Sequence, residues 1–100
     1  MSKLTSKSIP WDAAAYLESD ADIADYLAAA FETGDIDDVT HALSTIARAR
    51  GMTDIAKSAG LARGSLYKAI GDGANPTLAT LFSILNALNV SLSVKPKVAA

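Results

Sequence analysis

Arg63, Ser65 and Lys68 fall close together in the stretch MTDIAKSAGLARGSLYKAI, residues 52–70, with Gly64 between the first two. An arginine guanidinium can fork onto the O6 and N7 of guanine, a serine hydroxyl can donate to or accept from several bases, and a lysine can meet a base or a phosphate. Gly64 adds no side chain, which would let a helix approach a duplex closely. Such groups reach base edges when they stand near the start of a helix lying in the major groove. Thr53 and Lys57 before them, and Asn75 and Thr77 after them, occupy positions from which phosphate contacts would fix the register of that helix. The candidate DNA-binding set is therefore Thr53, Lys57, Arg63, Gly64, Ser65, Lys68, Asn75 and Thr77.

No comparable set supports catalysis. His41 is the single histidine and there is no cysteine, so a thiol nucleophile, a thiolate metal site and a disulfide scaffold are all excluded. One histidine among acidic neighbours lacks the orienting partners of an acid–base site and reads as a surface or helix-packing residue. Asp37 and Asp38 suit the positive end of a helix better than acid–base work. The expectation is a protein that is not an enzyme and uses no catalytic residue, metal or cofactor.

The elements that must hold the DNA-binding set follow from apolar spacing. Ile23, Tyr26, Leu27, Ala30 and Phe31 recur at helical intervals after a capping Ser19, and Gly34 stops that helix. A second helix starts at Asp35, places Ile36, Val39, Leu43, Ile46 and Ala47 inward, and closes at Gly51 after Arg48 and Arg50. Thr53 is expected to cap a third helix that buries Ile55, Ala56 and Ala59. Gly60, tolerant of positive φ, turns the chain into a fourth helix with Leu66, Tyr67 and Ile70 inward. For Tyr67 the inward role is preferred over a hydroxyl reaching a phosphate. A small residue where the third and fourth helices cross, Ala56, and the tight turn at Gly60 meet the steric demands of a helix–turn–helix. GDGANPT, residues 71–77, is a turn, and Thr77 caps a fifth helix carrying Leu78, Leu81, Phe82, Leu85 and Leu88. Val90, Leu92 and Val94 alternate with Ser91 and Ser93, the pattern of one short strand. A lone strand needs a partner, supplied either by the N-terminal arm or, as preferred, by a second copy of the chain.

The fold class expected is all-α: a five-helix, repressor-like helix–turn–helix domain with a short C-terminal β-strand paired across a dimer. Residues 1–18 form an N-terminal tail or arm, 19–94 the helical domain, and 95–100 a C-terminal tail. Around Pro10 and Trp11, an extended arm and a first helical turn remain equally open.

The net charge of −2 conceals a segregation along the chain. Nine acidic residues and no Lys or Arg lie between Asp12 and Asp38. From Arg48 to Lys68 five basic residues face Asp54 alone, a local +4. Phosphate attraction depends on where charge sits within a Debye length of about 8 Å, so a basic groove-facing element is compatible with an acidic molecule. No segment approaches the roughly 18 apolar residues that a membrane span requires, and the N-terminus lacks a secretory pattern. A cytoplasmic protein that does not enter a membrane is expected.

The motifs YLESDADIADYLAAAFETGD, ALSTIARARGMTDIAKSAGLARGSLYKAI and GANPTLATLFSILNALNVSLSV together give the span from Trp11 to Val94 a resemblance to the addiction-module antidote family, the HigA-type antitoxins with a Cro/repressor-like helix–turn–helix. The resemblance implies an antitoxin that neutralises a small basic toxin of the RelE/HigB-like class, dimerises, and represses its own operon by binding operator DNA. By position, Thr53, Arg63, Gly64, Ser65 and Lys68 fall on the family's DNA-contacting segment. Contact with a cationic toxin is expected on the acidic N-terminal half, with Trp11, Tyr16, Asp20, Asp22 and Asp25 as candidates; Trp11 fits a toxin-facing anchor and a cap on the core equally well. Two departures stand out. Ala62 occupies a position where repressor-like domains often place a Ser or Thr cap, and GDGANPT replaces the usual Glu-x-Gly turn. Two other readings fit the same helix pair: a stand-alone or phage-type transcription regulator without a toxin, and a protein-interaction module that never touches DNA.

Overall fold

Local hydrogen-bonding chemistry at the helix ends sets the architecture. In the computed structural model, which describes residues 17–98, five helices follow one another among the described residues: α1 Asp20–Glu32, α2 Ile36–Arg50, α3 Met52–Ala59, α4 Arg63–Ile70 and α5 Leu78–Ala87. Ser19 opens α1 with a full capping box: its hydroxyl accepts from Asp22 N–H at 3.1 Å, while the Asp22 carboxylate accepts from Ser19 N–H at 3.4 Å. The Asp35 carboxylate accepts from Asp37 N–H at 2.9 Å and opens α2. The Thr77 hydroxyl accepts from Thr80 N–H at 3.1 Å and opens α5. Each such cap contributes on the order of 1 kcal/mol.

Thr53 does not cap α3. Gly51, at φ 108°, both ends α2 and starts α3: its N–H donates to Ala47 at 2.7 Å and its carbonyl accepts from Ile55 at 3.1 Å. With no linker between the two helices, Thr53 already lies inside the first turn.

One core joins all five helices. Ile23 and Leu27 from α1, Leu43 and Ile46 from α2, Ile55 and Ala56 from α3, Leu66 and Ile70 from α4, and Leu81, Ile84 and Leu85 from α5 are buried together, with Leu17 and Leu88 at its margins. α1 packs on α2, α3 on α5, and α4 against both α2 and α3. Full burial of one such aliphatic side chain contributes about 1.5–3 kcal/mol.

Several apolar residues at helical spacing face solvent. Ile36 is exposed at the first turn of α2. α5 turns Leu81, Ile84, Leu85 and Leu88 to the core, so Leu78 and Phe82 fall on the adjoining row and stand 60% and 46% exposed. Tyr67 lies at the solvent edge of α4, not in the core. The expected strand is not formed in the single chain: no strand occurs among the described residues, and 90–98 follow α5 without regular structure. That segment has no partner strand within the described chain to complete a ladder. α5 ends with Asn89 at φ 60°, its side-chain amide donating to Asp20 at 2.7 Å and tying the C-terminal end of α5 to the start of α1.

Candidate nucleic-acid interface

The sharp turn between α3 and α4 is built by backbone groups. Gly60 adopts the left-handed conformation, φ 72° and ψ 28°. Gly60 N–H donates to the Lys57 carbonyl at 3.2 Å, and Leu61 N–H donates to the Ala56 carbonyl at 2.9 Å. This pair of bonds closes the last turn of α3 as a Schellman motif and satisfies carbonyls that would otherwise be orphaned. The residue that follows, Leu61, packs back on the core, so only three residues separate the helices.

α4 starts without a side-chain cap. Ala62 takes the extended N-cap conformation but offers no oxygen, and the first intrahelical bond runs from Leu66 N–H to the Ala62 carbonyl at 3.1 Å. The leading N–H groups of α4 therefore point outward unpaired by a cap. Leu66 and Ile70 anchor the inner face, while Arg63, Gly64, Ser65 and Lys68 are exposed on the outer one.

Arg63 is held along this outer face. Its guanidinium donates to the Tyr67 hydroxyl at 3.2 Å, and its central carbon stands 5.5 Å from the centre of the Tyr67 ring. This contact replaces the inward role expected of Tyr67; the four-residue spacing of an aromatic and an arginine is the signal for it in the sequence. Only one of five guanidinium N–H groups is occupied by the hydroxyl, which leaves the remainder of the fork available.

Ser65, Lys68, Asn75 and Thr77 come together around one shallow groove of about 300 Å³ between α4 and the start of α5, with Leu61 and Pro76 in its floor. Thr77 contributes through an oxygen already engaged with the Thr80 N–H and hydroxyl. Thr53 and Lys57 are exposed on α3 but do not line that groove. Gly71 shapes the turn below it for a steric reason: a Cβ there would stand 2.9 Å from the Tyr67 carbonyl oxygen.

The charges distribute less simply than the local +4 suggests. Arg50 turns away to α1, 3.7 Å from the Asp20 carboxylate and 3.5 Å from the Glu18 carbonyl. Arg48 donates to Ser44 on its own helix at 3.1 Å. The positive charge carried by α3 and α4 themselves is Lys57, Arg63 and Lys68 against Asp54.

Among the toxin candidates, Trp11 and Tyr16 lie outside the described residues. Asp20 and Asp22 carry structural duties on α1, the first with Arg50 and Asn89, the second in the capping box. Asp25 is exposed and makes no side-chain hydrogen bond or ion pair among the described residues. His41 is exposed on α2. No group of three or more His, Cys, Asp or Glu able to hold a metal occurs among the described residues, and no helix there is long and apolar enough to cross a membrane.

The class that this fold defines is a small all-helical protein that presents the polar edge of one short helix to solvent. Residues 7–96 match the family model described as "Probable addiction module antidote protein", and the chain belongs to that family. A protein of Haemophilus influenzae described as "Uncharacterized protein" is 38% identical over 92 residues, covering 92% of this chain and 95% of its own. No solved structure matches the chain. Membership of an antidote family supports an antitoxin role and, with it, a toxin partner.

Proposed function

We propose that this chain is the antitoxin of a type II toxin–antitoxin pair, that it neutralises a small basic toxin of the RelE/HigB-like class, and that it represses its own operon from the cytoplasm as a homodimer. In this reading α3 and α4 form a Cro/repressor-like helix–turn–helix. α4 enters the major groove, with Arg63 and Ser65 at base edges and Lys68 at a base or phosphate. Thr53, Lys57, Asn75 and Thr77 hold the sugar–phosphate backbone. The dimer joins through the C-terminal segment and presents two recognition helices to two half-sites. The toxin docks on the acidic α1 side, where Asp25 is the freest of the carboxylates named above, with Trp11 and Tyr16 contributing from the preceding residues.

The observation that carries the DNA-binding half is the outward row of Arg63, Gly64, Ser65 and Lys68 above the buried Leu66 and Ile70. Among the described residues, no element covers that row's polar side chains. The non-enzymatic reading accords with the antidote family.

Fluorescence anisotropy with the chain's own upstream region, titrated at two salt concentrations, tests this half. Counterion release predicts a steep loss of affinity with salt, with a log–log slope of about −0.9 for each phosphate neutralised. Sequence-specific binding with that slope is expected. Equal affinity for upstream and scrambled duplexes would remove the repressor assignment, leaving the toxin half to stand alone.

A further inference from the structure

Gly64 is the glycine of this chain that its own fold does not explain. Of the six glycines, Gly34, Gly51, Gly60 and Gly73 take positive φ, and at Gly71 a Cβ would stand 2.9 Å from a carbonyl oxygen. Gly64 lies inside α4 with ordinary helical backbone. A Cβ built on it would meet no heavy atom within 4 Å, its chain neighbours and its own helix backbone apart. Alanine would therefore fit there. It would also favour the helix, because glycine loses more conformational freedom on folding than any other residue, and α4 already starts without a side-chain cap.

The placement of Gly64 shows where the missing side chain counts. Residues four apart share a helix row, so Gly64 and Lys68 stand together on the side of α4 away from the buried Leu66 and Ile70. Arg63 flanks this row on one side, held by Tyr67. Ser65 flanks it on the other, where it lines the groove shared with Lys68, Asn75 and Thr77. Gly64 is thus a methyl-sized recess between two hydrogen-bond donors, a guanidinium and a hydroxyl, on the surface that the preceding reading sets in the major groove.

We propose that Gly64 is a specificity-determining residue, and that its recess takes the 5-methyl group of a thymine lying next to the guanine read by Arg63. The inference rests on the DNA-binding half of the proposed function and names the base step which that surface selects.

Base chemistry selects thymine. Of the four bases only thymine carries a methyl group into the major groove, and its O4 acceptor lies beside that methyl. With the methyl against the bare Cα of Gly64, O4 accepts from the neighbouring Ser65 hydroxyl. Cytosine would leave the recess unfilled and present a donor instead of an acceptor, and the purines would turn polar atoms toward a CH₂ that cannot bond them. Arg63, with the N–H groups that Tyr67 does not use, spans O6 and N7 of the adjacent guanine. Lys57, Arg63 and Lys68 around the recess disfavour a cationic toxin as its occupant.

A reciprocal substitution in protein and DNA tests the fit. In the duplex of the chain's own upstream region, thymines are replaced one at a time by deoxyuridine, which removes the methyl and nothing else, and each duplex is titrated by fluorescence anisotropy. Wild type should lose affinity about 4-fold at one thymine position, the worth of one buried methyl, beside a guanine whose replacement no longer matters in Arg63→Ala. Gly64→Ala should bind the thymine duplex about 5- to 150-fold more weakly, the range for a lost bidentate base contact, because the added Cβ lifts Arg63 from its guanine. The same single uracil should then strengthen binding of Gly64→Ala, since the alanine methyl occupies the place of the missing one. Affinity for a scrambled duplex should not change, and the melting temperature of the variant should rise by about 2–8 °C.

If wild type binds its upstream region specifically, but Gly64→Ala binds it equally well or suffers a loss that no uracil relieves, the thymine recess is overturned and the repressor reading stands. A lower melting temperature in Gly64→Ala would assign the glycine to the fold and overturn the recess as well. Loss of toxin from Gly64→Ala with operator affinity unchanged would make a protein the occupant and overturn the thymine. Equal affinity of wild type for upstream and scrambled duplexes would remove the repressor reading, and this inference with it.

Discussion

Arg63 and Tyr67 provide the sharpest perturbation of the proposed DNA interface. A well-placed bidentate arginine contributes about 1–3 kcal/mol of discrimination between bases, so Arg63→Ala should weaken operator binding by about 5- to 150-fold at 1.4 kcal/mol per decade. Tyr67 should contribute through Arg63. The ring at 5.5 Å and the hydroxyl at 3.2 Å hold the guanidinium along the helix before DNA arrives, and an exposed cation–π contact of this kind is worth about 0.5–1 kcal/mol. Tyr67→Ala should therefore cost roughly 2- to 5-fold in affinity in the wild-type background, again at 1.4 kcal/mol per decade. It should cost almost nothing when Arg63 is already alanine. A double-mutant cycle measured by anisotropy at one salt concentration gives the coupling. Because neither contact involves a phosphate, the salt slope should stay constant across the set. Operator affinity that is unchanged in Arg63→Ala would refute the docking of α4. Equal effects of Tyr67→Ala in both backgrounds would refute the preorganisation, as would tighter binding after the tyrosine is removed.

Gly60 tests the turn itself. No atom lies within 4 Å of the place its Cβ would take, so the cost of substitution is backbone strain alone, about 1–2 kcal/mol for an ordinary L-residue. Gly60→Ala should lower the melting temperature by roughly 4–8 °C per kcal/mol for a chain of this size. Gly60→Val should lower it further and Gly60→Asn less, and a wild-type melting curve for the valine variant would show that the left-handed turn is absent. Ala62→Ser should act in the opposite direction, adding the missing cap of α4 and raising stability by about 1 kcal/mol in a denaturant titration; no change would mean that the leading N–H groups of α4 have other partners.

The helices were legible wherever a short polar side chain or a glycine closes a turn. Ser19, Asp35 and Thr77 cap the helices they were expected to cap, and Gly60 takes the left-handed conformation, because these ends are decided within three or four residues. What depends on the neighbouring element was less legible. Thr53 lost its cap because Gly51 serves two helices at once. Leu78, Phe82 and Ile36 carry helical spacing but lie on rows that no other helix among the described residues covers. Tyr67 satisfied the inward pattern equally well and instead found Arg63. Asp20 and Asp22 looked like free anionic charge, whereas a helix start and two distant partners, Arg50 and Asn89, engage them. The Val90–Val94 alternation could not become a strand in one chain, since a ladder requires a second edge. Within the site, spacing identified the residues of α4, while the convergence of Ser65 and Lys68 with Asn75 and Thr77 depended on how the turn at Gly71 folds back.

In the function proposed above, this chain restrains a toxin through one face while another face remains free for DNA. The decisive measurement is co-expression with the product of whichever short gene neighbours its own, followed by size-exclusion chromatography of wild type and Arg63→Ala. The neighbour should arrest growth when expressed alone, and both forms of this chain should relieve the arrest and co-elute with it. A harmless neighbour that elutes separately from wild type would contradict it.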